Sequence, residues 1–388
     1  MATRAAERPA YREGDWRCDG RGAKHYDPTR GCSLSPSRFV LAGICVALTV
    51  SCQPQGASDR DYVYEPLFLE VVEGRRLSGE EVAARERQLR EDPADVVLRA
   101  GLLGYYWPRP GREAHAGHVL WFVENAPESP ALQPPWGDLG AGHDPEGYER
   151  IKRAWLRHIE REPTNTTFLE RASSFVDGSD TPLARELLER GEELDPRNPH
   201  WAQRLGTLRW REAGRSGDGW DPGEAARALA DFERAYQLTR FGARYSLLTG
   251  LGKAALAAGD LAKARHYAER MLENRLGAWF SEWDEGNRVH YGNVILGRIA
   301  LADGDVEGAE QHLLAAGRMP GSDSLKWGGP DMALAKDLLE HGRRESVLRY
   351  LELCLDMDLW ETHQERLRNW IALVEAGRTP DFGSNLSF

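Results

Sequence analysis

The sequence predicts an all-α protein, a solenoid of stacked helical hairpins, and three observations carry that expectation. One stretch, LGKAALAAGDLAKARHYAERML from Leu251 to Leu272, reads as two short amphipathic helices folded back around a glycine. The same pattern recurs down the chain at fixed offsets. Neither helix of the unit can hide its apolar side alone, so copies must stack on one another.

Within the unit, Leu251, Gly252, Ala255 and Leu256 share a face of the first helix, and Leu261, Ala264, Tyr267, Ala268 and Met271 share a face of the second. Gly259 stops the first helix, because a left-handed C-cap costs glycine nothing, and Asp260 places an acid at the start of the next. From Leu251 the turn glycine lies 8 residues on and a small residue, Ala264, lies 13 on. The same offsets from Leu296 reach Gly304 and Ala309, and from Leu334 they reach Gly342 and Val347. Leu103 reaches Ala116 at 13. Leu205 reaches Ala228 only after 23, so about ten residues, Gly214 to Gly223, must loop out of that hairpin. Upstream, Glu162-Pro163-Thr164-Asn165 and Asp195-Pro196-Arg197-Asn198 stand 33 apart and frame a further helix pair.

These residues resemble the tetratricopeptide repeat family, whose unit of roughly 34 residues carries a Leu-Gly pair, an Ala-x3-Phe pair and a closing Pro. Ala228 and Phe232 match outright; Ala184/Leu188, Ala264/Ala268 and Ala309/Leu313 are softened versions, and Pro163, Pro196 and Pro320 close units. The family's Trp before the Leu-Gly pair is absent, and its Tyr is Ala255 or Ala300. Intervals of 46, 45 and 38 residues from Leu205 to Leu251, Leu296 and Leu334 require loops between units. The resemblance covers roughly residues 92 to 360 and implies a right-handed superhelix. It implies no particular partner, because such scaffolds host many functions.

Composition narrows the function classes. A net charge of −11 argues against a general nucleic-acid binder, which needs a basic face to displace counterions from phosphates. Five cysteines, Cys18, Cys32, Cys45, Cys52 and Cys354, show neither CxxC nor metal-ligand spacing. Residues 1–37 lack apolar periodicity and read as disordered or as an untranslated extension, with Leu34 a candidate true start. Arg38, the apolar run Phe39 to Val50, and Ser51-Cys52 form a secretory signal too short for a span of about 20 residues. Leu48 to Cys52 resembles a bacterial lipobox, which implies lipidation of Cys52 and a membrane hold through its acyl chains. Gln53 after the Cys implies, by resemblance to Gram-negative lipoproteins, the outer membrane facing the periplasm.

After this leader (1–51), residues 52–77 read as a tether with an extended apolar patch from Tyr62 to Val72. Ser78 and Glu81 form a capping box that opens an N-terminal helical region to residue 125. The Pro/Gly loop 126–147 is the expected internal boundary, 148–376 the repeat array with a closing helix that carries Trp360 and Trp370, and 377–388 a tail. Pro320 to Pro330 reads as a loop.

Sites for chemistry are few. Gly250-Leu251-Gly252-Lys253 imitates a phosphate loop but lies inside a helix, without the required strand or Ser/Thr. His115 and His118 could share a helix face, but zinc would need a third ligand, and solvated histidines fit better. Cys354 falls on an apolar face as core. No cofactor motif stands. One pattern points to binding instead. In the family that the chain resembles, the residue two after the Leu of the Leu-Gly pair faces a concave groove. Here those residues are Lys253, Arg298 and Lys336, basic in three successive units. Thr249, Val294 and Met332 lie one turn before, Leu256, Leu301 and Leu339 one turn after, and Gln203 and Thr207 continue the groove upstream beside Trp210. Such a column suits an acidic peptide or a C-terminal carboxylate, unless each cation pairs with an acid of the next unit.

The expected function is therefore a non-enzymatic, membrane-anchored scaffold of the bacterial envelope that docks a protein segment, in envelope or secretion complex assembly. Two rivals remain: a glycan or small-ligand binder using Trp279, Phe280 and Trp283, and a hydrolase using His143 and Asp144.

Overall fold

The computed structural model describes residues 66–107, 112–214, 220–240, 243–273, 282–319 and 321–386. The chain divides into two units, Met1–Asp61 and Tyr62–Phe388, and every described residue belongs to the second. Among the described residues there are seventeen α-helices and no strand. None of these helices is long and apolar enough to cross a membrane.

The helices pack in neighbouring pairs. α6 (Thr166–Val176) lies on α7 (Thr181–Leu194), α8 (Pro199–Ala213) on α9 (Pro222–Leu238), and α10 (Leu248–Ala257) on α11 (Leu261–Leu272). α12 (Glu282–Ala302) lies on α13 (Val306–Gly317), and α15 (Ala333–Glu340) on α16 (Arg344–Leu355). Each pair packs on the next, so α10, α12 and α15, the first helices of three successive hairpins, touch in series.

The three hairpins turn by one device. Gly259, Gly304 and Gly342 have φ of +79°, +81° and +75°, the left-handed region that favours glycine. At each, the glycine N–H and the N–H after it reach back to carbonyls of the last helical turn: Gly259 to Leu256 O at 3.0 Å, Asp260 to Ala255 O at 2.9 Å. Gly304/Asp305 and Gly342/Arg343 repeat the pair of bonds, the Schellman pattern that satisfies orphan carbonyls. Asp260 and Asp305 then cap the second helices, accepting from Lys263 N–H at 3.0 Å and Gly308 N–H at 2.8 Å. Close approach of the pairs depends on small residues. A Cβ on Gly252 would stand 2.7 Å from the Ile295 side chain and 2.9 Å from that of Met271.

Two buried clusters form the core. One runs from Val71 to Leu208 and the other from Ala202 to Phe382, and α8 gives residues to both. The capping box forms as the sequence predicts: Ser78 N–H donates to Glu81 Oε2 at 2.8 Å, and Glu81 N–H to Ser78 Oγ at 3.3 Å, opening α2 (Gly79–Glu91). The excursion expected at Gly214 to Gly223 falls between α8 and α9, with residues 215–219 outside the described residues and Gly223 already in α9.

Four expectations need correction. The apolar patch assigned to the tether is helical over α1 (Pro66–Gly74), and it crosses α3 (Val96–Tyr106) where any Cβ on Gly74 or Gly104 would collide with the other helix's backbone. The loop 126–147 is not a boundary, because Ala131, Leu132, Trp136 and Leu139 are buried in the first cluster and fasten α4 (Arg112–Asn125) to α5 (Pro145–Arg161). The stretch 320–330 contains a short helix, α14 (Asp323–Gly328). The tail returns to the array beyond the closing helix α17 (Glu361–Glu375): Phe382 and Asn385 are buried, and Asn385 Nδ2 donates to Gly328 O at 3.1 Å and Pro330 O at 3.0 Å.

Candidate functional site

Because α10, α12 and α15 run side by side and stop at equivalent turns, their last turns line one open groove of about 470 Å³. Leu256 and Ala257 come from α10, Arg298, Leu301 and Ala302 from α12, and Asp337, Glu340 and His341 from α15 and its C-cap. Trp220, from the excursion between α8 and α9, forms a wall. Its ring stacks on Trp210 at 4.0 Å between centroids, over Gly214, where a Cβ would lie 2.9 Å from the indole.

The predicted cations stand six residues before each turn glycine, yet the structure places them in three environments. Lys253 is only 12% exposed: its ammonium lies 3.8 Å from the Tyr291 ring centroid and 3.9 Å from Asp331 Oδ2. Burial pushes the Lys253 pKa down, and Asp331 opposes that shift. Arg298 Nε donates to Asp337 Oδ2 of the next hairpin at 2.7 Å. Lys336 is half exposed and 4.0 Å from Glu340 one turn on. Every cation of the column thus has a carboxylate neighbour.

Of the other expected groove residues, Leu256 and Leu301 line the groove, whereas Val294 and Met332 are fully buried and cannot touch a ligand. Gln203 and Thr207 are exposed on α8, and the Thr207 hydroxyl donates to Gln203 O at 3.0 Å. Thr249 faces a separate cavity of about 200 Å³ with Tyr245, Ser246, Asn287 and Arg288. Sequence reasoning missed Trp220, Ala257, Ala302, Asp337 and Glu340. One signal was available: Ala257, Ala302 and Glu340 all stand two residues before a turn glycine.

Within the same three hairpins, Asp331 organises a buried polar knot. Its N–H donates to His290 Nε2 at 3.0 Å, its carboxylate accepts from Ala333 N–H at 2.8 Å, and Tyr350 O–H donates to its carbonyl at 2.8 Å. His290 Nδ1 donates to Ala316 O at 3.2 Å, which fixes a neutral tautomer. Burial pushes the His290 pKa down to about 4 and the Asp331 carboxyl up, against the pull of Lys253. The knot ties together α10, α12, α13, α16 and the segment before α15. Its groups are consumed by one another and by backbone, so it reads as a staple across three hairpins.

Compared with models of known protein families the chain matches none, and a search of curated proteins finds no match.

The remaining candidates resolve as structure. His115 and His118 are buried, not solvated: His115 Nε2 bonds Trp136 O at 2.9 Å, while His118 stacks on Tyr106. Among the described residues no group of His, Cys, Asp and Glu is placed to hold a metal ion. Asp144 is the N-cap of α5, accepting from Gly147 N–H at 2.9 Å, and His143 beside it is exposed. Cys354 is buried as core, with its thiol pKa pushed up by desolvation. Cys52, Trp279, Phe280 and the Trp283 side chain lie outside the described residues.

Trp370 is buried against Phe382, but Trp327 and Trp360 are 73% and 46% exposed and meet edge to face at 5.4 Å.

Proposed function

We propose that the chain is a non-enzymatic scaffold, anchored to the bacterial envelope through lipid on Cys52, that receives a protein segment along the first helices of its hairpins. The groove of about 470 Å³ carries this reading, because three successive hairpins contribute equivalent residues to it. An extended or helical segment laid across it would meet Leu256 and Leu301 at regular intervals, which is how repeat arrays bind. The shared glycine turn and the pairwise packing support a tetratricopeptide-like right-handed superhelix. Assembly or stabilisation of an outer-membrane or secretion complex is the use that this placement suits.

The test is site-specific photo-crosslinking in cells. Probes at Ala257 and Ala302 are expected to trap one discrete protein, while a probe at Glu269, exposed on α11, traps none. Equal adducts at all three positions, or none at any, would overturn the reading. A second reading, a glycan or small-ligand binder, gains support from the exposed Trp327 and Trp360 pair in place of Trp279. Absence of glycan-array binding removes that reading, and binding that survives Trp327→Ala removes this pair as its site.

A further inference from the structure

The groove lies where three helices stop. Leu256 and Ala257 close α10, Leu301 and Ala302 close α12, and Glu340 closes α15. Each helix C-terminus carries roughly half a negative elementary charge, offset in part by the positive end of the helix that follows each turn glycine, so the backbone adds only a weak preference for a cation. The lining side chains add Asp337 and Glu340 against Arg298. Arg298 is held by Asp337 at 2.7 Å. Lys336 reaches Glu340 only at 4.0 Å, with the two side chains 45% and 60% exposed. A solvated pair of that kind holds little, so Glu340 can engage a second cation. Trp220 supplies an aromatic wall on the same groove, and a cation beside an indole and a carboxylate is held by both. Leu256 and Leu301 offer apolar surface for the stem of a long basic side chain.

We infer that the occupant of this groove is a basic segment, a stretch of protein that places a lysine or arginine between Trp220 and Glu340 and apolar residues on Leu256 and Leu301. The inference rests on the docking reading above and reverses the sign that Lys253, Arg298 and Lys336 predict. Lys253 and Arg298 are met by Asp331 and Asp337, whereas Lys336 engages Glu340 only at 4.0 Å in solvent and leaves it open to a second cation.

The full-length protein is titrated into fluorescent peptides, about twelve residues long, that alternate leucine with lysine, glutamine or glutamate. The lysine peptide is expected to bind at least about tenfold more tightly than the glutamate peptide, with affinity falling in salt. Trp220→Ala weakens it about tenfold and Glu340→Gln about threefold. Glu269→Gln, which removes the same charge from α11, leaves it unchanged. If the glutamate peptide binds at least as tightly and Leu301→Ser abolishes that binding, the basic-segment inference falls and groove docking stands. The inference also falls if Glu340→Gln and Glu269→Gln act alike. If no peptide binds, or Leu301→Ser alters none of them, groove docking itself falls.

Discussion

At His118 a single ring shows how burial sets charge. The imidazole is enclosed by Tyr106 and lies 3.5 Å from Arg99 Nη1, and burial, Arg99 and His115 push its pKa from 6.5 to about 4. The folded state therefore refuses a proton that the unfolded chain accepts. Stability contributed by the neutral ring is present above pH 6.5 and is lost as the pH falls toward 4. His290 follows the same sign, with its pKa also lowered to about 4. Urea midpoints measured from about pH 7 down to about pH 4.5 should fall in the wild type, and fall less steeply in His118→Phe, which keeps the ring stack without the titration. Equal slopes in the two proteins would show that His118 does not carry the effect. Lys253 makes the complementary case: burial disfavours its charge, and Asp331 and the Tyr291 ring restore part of what water would supply.

Among the elements, the glycine turn is the part that repeats most faithfully. Around Gly259 a Cβ would meet no atom within 4 Å, so the demand for glycine comes from φ of +79° alone. Gly259→Ala is expected to lower stability by about 1 kcal/mol, read as a shift in the denaturation midpoint, with helix content by circular dichroism unchanged. A neutral or stabilising result would mean that the turn relaxes to a different conformation. By contrast, Gly252 and Gly104 are needed for contact across helices, and substitutions there would separate neighbours rather than strain a turn. The tail segment also acts at this scale, since Asn385 holds the segment from Gly328 to Met332 that precedes α15.

For the whole molecule, the two buried clusters meet at α8, where Trp201, Leu205 and Leu208 belong to the first and Ala202 to the second. One helix thus links the N-terminal hairpins to those that carry the groove. The proposed anchor at Cys52 would hold this array at a membrane surface, which confines partner search to that surface. Cells fed a palmitate analogue are expected to label the wild-type protein and not Cys52→Ala. Label absent from the wild type, or persisting in the variant, would remove the anchor and the envelope placement that depends on it.

Periodicity alone determined the helices of the repeated hairpins, their pairing and the turn glycines, because each is a local property, but it missed α1 and α14. A 3.6-residue apolar stripe, a left-handed cap and an acid at the next N-cap are all written within about twenty residues of sequence. Of the residues expected at the groove, Leu256, Arg298 and Leu301 line the cavity of about 470 Å³, whereas Lys253, Thr249, Val294 and Met332 do not. What lies far apart in sequence needed the tertiary structure. Lys253 meets Asp331 across 78 positions, and no periodicity announces that pairing. The loop 126–147 and the tail look like linkers by composition, yet a few buried residues in each, Leu132, Trp136, Phe382 and Asn385, fasten them to the core. The sign of the groove is the sharpest case. Sequence counts side-chain charges at one register, while the field at the site also sums paired carboxylates and helix ends, whose positions only the packing decides.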